Sequence, residues 1–445
     1  MLAKLKTIGS SGTVLRSVFG SLGLKAMAVG VTFAFIALLS RSVDGPAFGT
    51  FSMVFSAAGL FAIVAVMGQQ IQLLRGWSEY ADGGRFAQLK GLLEFSALVM
   101  MAGTLVVATA FLLVLSRFVP MDYALAATAY LVSQSLVTVS AHLVRTAVGI
   151  LIGDGLAVIF AQVPAIAYIS WQLGQGEPAN VAYVFALMAG GGFLAFAVHA
   201  IVMARRILAD FPILLTVRRE ASLSALTVSS IKLWGSQILE VSSQYLDVLV
   251  VGWLMDPASA GAYFVITRLA NAFAMISSAI YLSTTRHMPA AYFAGDGKKL
   301  ATILNSVSVV NLLAIMSGLV LFLVAGAEML SWFGAQWTDQ HANLLILCVG
   351  SALAASSFPS TSLLNISGNE GSYLRVLAIA VAVRLVAFAV LIPAFNVSGA
   401  ALASTMSLAL LGIAVREESI RLTGLDGSVF RLWRPAMHRL SSRFS

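Results

Sequence analysis

Charge is scarce in this chain. Asp, Glu, Lys and Arg make up 10% of its 445 residues, against about 25% in an ordinary soluble domain. Cysteine occurs once, as Cys348 inside an apolar run, so an intramolecular disulfide and a paired-cysteine metal motif are both excluded. The five histidines (His142, His199, His287, His341 and His438) are scattered without ligand spacing. Neither a His-Glu-x-x-His helix nor a nucleotide-binding P-loop occurs. These absences leave no candidate catalytic residues, argue against an ATP-driven pump, and predict a protein that is not an enzyme and has no resident cofactor or metal.

What is plentiful is apolar length. Hydrophobic residues form 59% of the chain, in stretches of about 20 that recur from end to end, each able to cross a hydrocarbon core of about 30 Å. The pattern predicts an all-α polytopic membrane protein. Twelve spans are expected, near 18–40, 51–74, 92–115, 123–143, 150–173, 181–204, 224–252, 260–284, 303–325, 342–364, 374–392 and 398–415. Pro46, Pro120, Pro178, Pro257 and Pro393 fall at joints between them, where helices should stop. Pro164 and Pro359 lie inside spans and are expected to kink them. The first stretch, Val18–Ser40, lacks a small-x-small cleavage site before its polar flank, so it is expected to remain as a span.

Positive charge tests the count. With both termini cytoplasmic, the inward segments hold 21 of the 27 Lys and Arg residues, the outward loops hold only Arg41 and Arg117, and four lie inside spans. That asymmetry is the signature of an even number of spans. It also accounts for the net charge of +8 without invoking nucleic acid.

A short turn is written twice. DGPAFGTF at 44–51 follows the first span and DPASAGAY at 256–263 follows the seventh, 212 positions on (256 minus 44). Gly49 then matches Gly261, and Phe51 matches Tyr263. Six spans separate the copies, so both halves have the same orientation, a parallel repeat about an axis along the membrane normal. The expected organisation is an N-terminal lobe at 1–213 (spans one to six), a C-terminal lobe at 214–416 (spans seven to twelve) and a basic cytoplasmic tail at 417–445.

Polar groups inside spans mark candidate paths, because a charge at mid-bilayer costs about 2.5–3.5 kcal/mol on insertion scales. In the seventh span Ser229, Lys232, Ser236, Glu240, Ser243 and Asp247 recur at steps of three and four, which puts them on one helical face. From Lys232 to Asp247 the stripe rises about 22 Å. Lys25 in the first span, Arg268 with Asn271 in the eighth and Arg384 in the eleventh add further intramembrane polarity. Counting the deep groups gives four cations (Lys25, Lys232, Arg268, Arg384) against Glu240 and Asp247, a path biased towards anions. Glu94 begins the third span and reads as interfacial; Asp154 in the fifth is ambiguous. Gly190, Gly191 and Gly192 in the sixth span suit close helix packing.

Several stretches together carry a resemblance. SLGLKAMAVGVTFAFIALLSRSVDGPAFGTFSMVF (21–55), LDVLVVGWLMDPASAGAYFVITRLANAF (246–273), RHMPAAYFAGDGKKL (286–300), LLNISGNEGSYLRV (363–376) and IPAFNVSGAALAS (392–404) resemble, in order, the Wzx-type polysaccharide flippases. These belong to the multidrug/oligosaccharidyl-lipid/polysaccharide (MOP) exporter superfamily. The resemblance implies a V-shaped pair of six-helix lobes in the bacterial inner membrane. It implies that undecaprenyl-pyrophosphate-linked oligosaccharide crosses to the outer leaflet through a cationic cavity, for surface polysaccharide assembly, with a polysaccharide polymerase and co-polymerase as partners beside the membrane lipids. Lys25, Arg268 and Arg384 are the positions onto which the pyrophosphate-binding role would carry. Ser236, Glu240, Ser243, Asp247 and Asn271 are the candidates for cavity polarity and for coupling to a proton or sodium ion.

Two other transporter readings stay open. A MATE-type multidrug or organic-cation antiporter would need acidic groups in the N-terminal lobe, for which Glu94 and Asp154 are the candidates. A peptidoglycan lipid-precursor flippase is the other, although that family typically carries fourteen spans, against twelve expected here. In the tail, Met437, Leu440 and Phe444 share a face among basic residues, a pattern that suits an anchor on the anionic inner leaflet.

Overall fold

The computed structural model describes residues 23, 27–220, 222–271 and 287–433, and among these the regular structure is helical, with no strand. A helix stands at the place of each expected span. Lys25 and the tail segment 436–444 lie outside the described residues. The chain divides into two compact units, Met1–Leu246 and Asp247–Ser445. The division falls within the helix of the seventh span.

The first unit contains α1 (Met27–Ser42), α2 (Gly45–Ala65), α3 (Gln69–Asp82), α4 (Phe86–Leu115), α5 (Met121–Ala147), α6 (Ile150–Gln175), α7 (Val181–Asp210), the short α8 (Ile213–Thr216) and most of α9 (Leu223–Leu254). In it α5 packs against α2, α3, α4, α6 and α7. The second unit continues with α10 (Pro257–Ala270), α11 (His287–Phe293), α12 (Gly297–Ser331), α13 (His341–Ser356), α14 (Phe358–Ile366) and α15 (Glu370–Thr423). The last of these holds two spans, reversing at Asn396 (φ 54°, ψ −134°). Its two arms then lie side by side, with the Ser407 hydroxyl donating to the Ala380 carbonyl at 2.7 Å.

The repeated turn is a helix start. Asp44 Oδ1 accepts the Ala47 N–H at 2.8 Å and Asp256 Oδ1 accepts the Ser259 N–H at 2.9 Å. Pro46 and Pro257 each sit in the first turn that follows. The carboxylate satisfies an amide with no partner inside the helix, and proline has no such amide to satisfy. At the other membrane face the charged segments are largely helical. Arg75 lies in α3, so the link to α4 is only residues 83–85.

The second span departs from a continuous helix. It begins at Gly45, stops at Ala65 and resumes at Gln69, with Met67 (φ 47°) and Gly68 (φ 78°) left-handed between. No proline marks the break; glycine tolerates this backbone, and side chains of α9 receive the carbonyls it frees. Trp234 Nε1 donates to Val64 O at 3.0 Å and the Ser230 hydroxyl reaches Met67 O at 3.2 Å. The tenth span also breaks, at Ser357, and Pro359 opens the short helix that follows.

The glycine run in the sixth span is a packing surface. A Cβ on Gly191 would lie 1.8 Å from the Phe160 carbonyl oxygen of α6, and one on Gly192 would lie 2.6 Å from Ser133 Oγ of α5. One on Gly190 meets nothing within 4 Å. Gly191→Ala is therefore expected to destabilise the protein by about 3 kcal/mol, the upper end of overpacking costs. Gly190→Ala should be neutral or stabilising by about 0.5–1 kcal/mol. Thermal unfolding in detergent measures both, and equal stability of the two variants would contradict this packing.

Candidate functional site

The polar groups of the seventh span separate into two environments. Ser230, Trp234 and Gln237, at steps of four and three, face α2 and α3. Ser230 Oγ shares its one proton between Met67 O and Gln72 Oε1, the latter at 2.9 Å, and accepts from Gln69 Nε2, and Gln70 Nε2 donates to Gln237 Oε1 at 3.3 Å. Gln69, Gln70 and Gln72 are buried. This glutamine group is not among the expected site residues; three glutamines in four positions of an apolar span are the sequence signal for it.

The expected stripe lies on a neighbouring face. Lys232 and Glu240 are exposed. Ser236 and Ser243 turn their hydroxyls back to their own helix, on Lys232 O at 3.0 Å and Leu239 O at 3.5 Å. Glu240 accepts from Gln237 Nε2 at 3.0 Å. Asp247, the last member, is different: it is 7% exposed and enters the core of the second unit.

There it meets α10 and both arms of α15. Arg384, 4% exposed, places Nη1 3.1 Å from Asp247 Oδ1 and 3.2 Å from Oδ2. The Ser404 hydroxyl donates to Oδ2 at 2.9 Å. The Tyr263 hydroxyl lies 3.3 Å from the same oxygen and 2.7 Å from Ser404 Oγ. The carboxylate thus sits between one guanidinium and two hydroxyls. A charge pair taken from water in this way keeps no net charge, and its geometry depends on every partner being present. The reversal at Asn396 is what brings Arg384 and Ser404, on opposite arms of α15, to one carboxylate.

The repeat shows what is special about this cluster. Moving Phe35 and Phe51 by the same 212 positions lands on Asp247 and Tyr263. In the first unit that pair is a ring contact of 5.9 Å, extended by Phe185 at 5.1 Å from Phe51. In the second it is a carboxylate and a phenol. The turn and the aromatic position recur while the chemistry does not, so the turn alone does not call for a polar group. Tyr263 and Ser404 were not among the expected site residues; the aromatic match to Phe51 was the only sequence pointer to Tyr263.

The other expected residues stand apart from this cluster. Arg268, half-buried on α10, holds its guanidinium carbon 4.7 Å from the Phe264 ring centroid, a cation–π arrangement. Asn271 is exposed and caps the same helix, its N–H reaching Thr267 O at 2.9 Å. In the first unit the two acids of interest both face arginines: Asp154 pairs with Arg145 at 3.3 Å and Glu94 with Arg219 at 3.4 Å. Among the described residues no group of three or more His, Cys, Asp or Glu side chains is arranged to hold a metal ion.

No family model and no curated protein matches the chain. Solved structures do. An inward-facing multidrug-resistance MATE transporter of the MOP superfamily superposes with a TM-score of 0.73 at 12% identity, over 92% of this chain and 98% of that one. A MATE in the straight conformation gives 0.64 at 14% identity, over 93% and 96%. A MOP superfamily transporter from Pyrococcus furiosus, described by the reverse polarity of its binding pocket, gives 0.62 at 13% identity, over 95% and 96%. At such identities the likeness is one of fold, and the chain has the fold of the MATE transporters of the MOP superfamily.

Proposed function

We propose that this protein is a transporter that moves undecaprenyl-pyrophosphate-linked oligosaccharide from the inner to the outer leaflet of a bacterial inner membrane, for surface polysaccharide assembly. The observation that carries the reading is the disposition of charge. A cation antiporter needs a membrane carboxylate available to its cargo. Asp154 and Glu94 each face an arginine and Asp247 is held by Arg384 and two hydroxyls; Glu240, exposed with the Gln237 amide against it, is the acid that speaks for the antiporter. Arg268 and Lys232 are basic groups at span depth that a pyrophosphate would find attractive. A guanidinium against an aromatic face, as Arg268 stands, suits a phosphate beside a sugar.

The MATE-type antiporter is the second reading, favoured by the fold likeness to multidrug-resistance transporters. The two differ in what cells lose. Deletion of the gene should remove one surface polysaccharide and leave its lipid-linked repeat unit accumulated in the membrane, while susceptibility to cationic drugs stays unchanged. Intact polysaccharide with raised drug susceptibility would replace the first reading by the second. A polymerase and co-polymerase are the partners this role calls for, and a proton or sodium ion is the candidate for coupling.

A further inference from the structure

The link between the sixth and seventh spans carries four arginines, Arg205, Arg206, Arg218 and Arg219, and the structure sorts them. Arg206 pairs with Asp210 one turn on, and Arg219 pairs with Glu94 at 3.4 Å. Arg205 and Arg218 are exposed and, among the described residues, have no carboxylate partner. Apolar side chains flank them. Ile201, Arg205 and Leu208 follow at steps of four and three on the outward face of α7, with Ile201 54% and Leu208 60% exposed. Beyond Pro212, Ile213 and Leu215 point outward at 47% and 60% exposure while Leu214 is buried between them.

This surface is held in place. Lys90 Nζ donates to Leu215 O at 3.3 Å and Val217 O at 3.1 Å, and the Glu220 N–H donates to Ala87 O at 3.0 Å. The Phe211 ring packs edge-on against Trp77 at 5.6 Å, and Leu214 joins the core with Trp77, Leu89 and Val144. Exposed leucines and isoleucines beside exposed guanidiniums, fixed at the end of a span, match the boundary between acyl chains and headgroups. The apolar groups take the first and the arginines the second.

We propose that the surface of this link, through Arg205 and Arg218, binds the anionic headgroups of phospholipids in the leaflet that it faces. The guanidinium fork matches a phosphate, and a headgroup with net negative charge adds an attraction that a zwitterionic one cancels. This binding is independent of what the protein transports.

The full chain in nanodiscs of phosphatidylcholine doped with phosphatidylglycerol tests the surface, with retained phosphatidylglycerol counted by native mass spectrometry across a titration. Arg205→Gln and Arg218→Gln should each weaken retention about fivefold, and together about thirtyfold, corresponding to about 1 kcal/mol per basic residue near an anionic surface. Arg117→Gln, in a loop at the other face, should leave it unchanged. Both side chains are exposed, so the single variants keep the test valid should the double variant fail to fold. Retention by both single variants equal to the parent's, or an equal loss in Arg117→Gln, would overturn this binding.

Discussion

Arg384→Ala protein is expected to be about 3–5 kcal/mol less stable than the parent, the cost of leaving one member of a buried ion pair behind. Asp247 would remain in the core with two hydroxyls and no cation. Asp247→Ala should cost a similar amount, because it strands Arg384 in the same place. Replacing both by apolar residues of similar volume, Asp247→Leu with Arg384→Met, should recover most of the loss, since no charge is then left uncompensated. Thermal unfolding in detergent reads all three. Full stability of both single variants would show that the pair holds nothing together. For transport, the double variant is the informative one: activity retained with the pair absent makes the cluster structural, and activity lost in a stable protein makes it part of the machinery.

Arg268→Ala should behave in the opposite way, leaving the fold intact and lowering transport. Its guanidinium lies against Phe264 on a half-buried face of α10, where truncation removes a side chain from a partly exposed surface rather than from the packed interior. If it binds the pyrophosphate, removing it should lower transport about 10- to 100-fold, the equivalent of a hydrogen bond to a charged group at about 1.5–3 kcal/mol. Lysine should restore part of this, because it keeps the charge and loses the two-pronged geometry. Normal transport by Arg268→Ala would remove this residue from the substrate path.

The two arginines show how far the sequence could be read. Hydropathy located the spans because each must satisfy its own backbone in lipid, and the turn at Asp44 was legible twice because its caps are local. The glycine run was legible as packing for the same local reason. Helical periodicity grouped Lys232, Glu240 and Asp247, yet it reports only that residues share a face. It cannot say that Asp247 turns into a core with Arg384, 137 positions away, or that Ser404 closes the site from the returning arm of α15. The break at Met67 and Gly68 was hidden for a different reason. It needs no proline, and the groups that receive its carbonyls, Ser230 and Trp234, lie more than 160 residues along. Counting charges inside spans treated Arg384 as free positive potential, whereas its position against Asp247 cancels it. Of the four cations, Lys232 and Arg268 are thus the ones among the described residues that the proposed function assigns to the pyrophosphate.

The central claim, that the cargo is a lipid-linked oligosaccharide pyrophosphate, is tested most directly by purified protein in proteoliposomes. Undecaprenyl-pyrophosphate-linked oligosaccharide with a fluorescent sugar is placed in both leaflets, and a membrane-impermeant quencher reports its exchange. Faster exchange than in protein-free vesicles is expected, slowed about 10- to 100-fold by Arg268→Ala, with no accumulation of an organic cation such as ethidium under a proton or sodium gradient. Gradient-driven ethidium transport without any exchange of the lipid-linked sugar would contradict the claim.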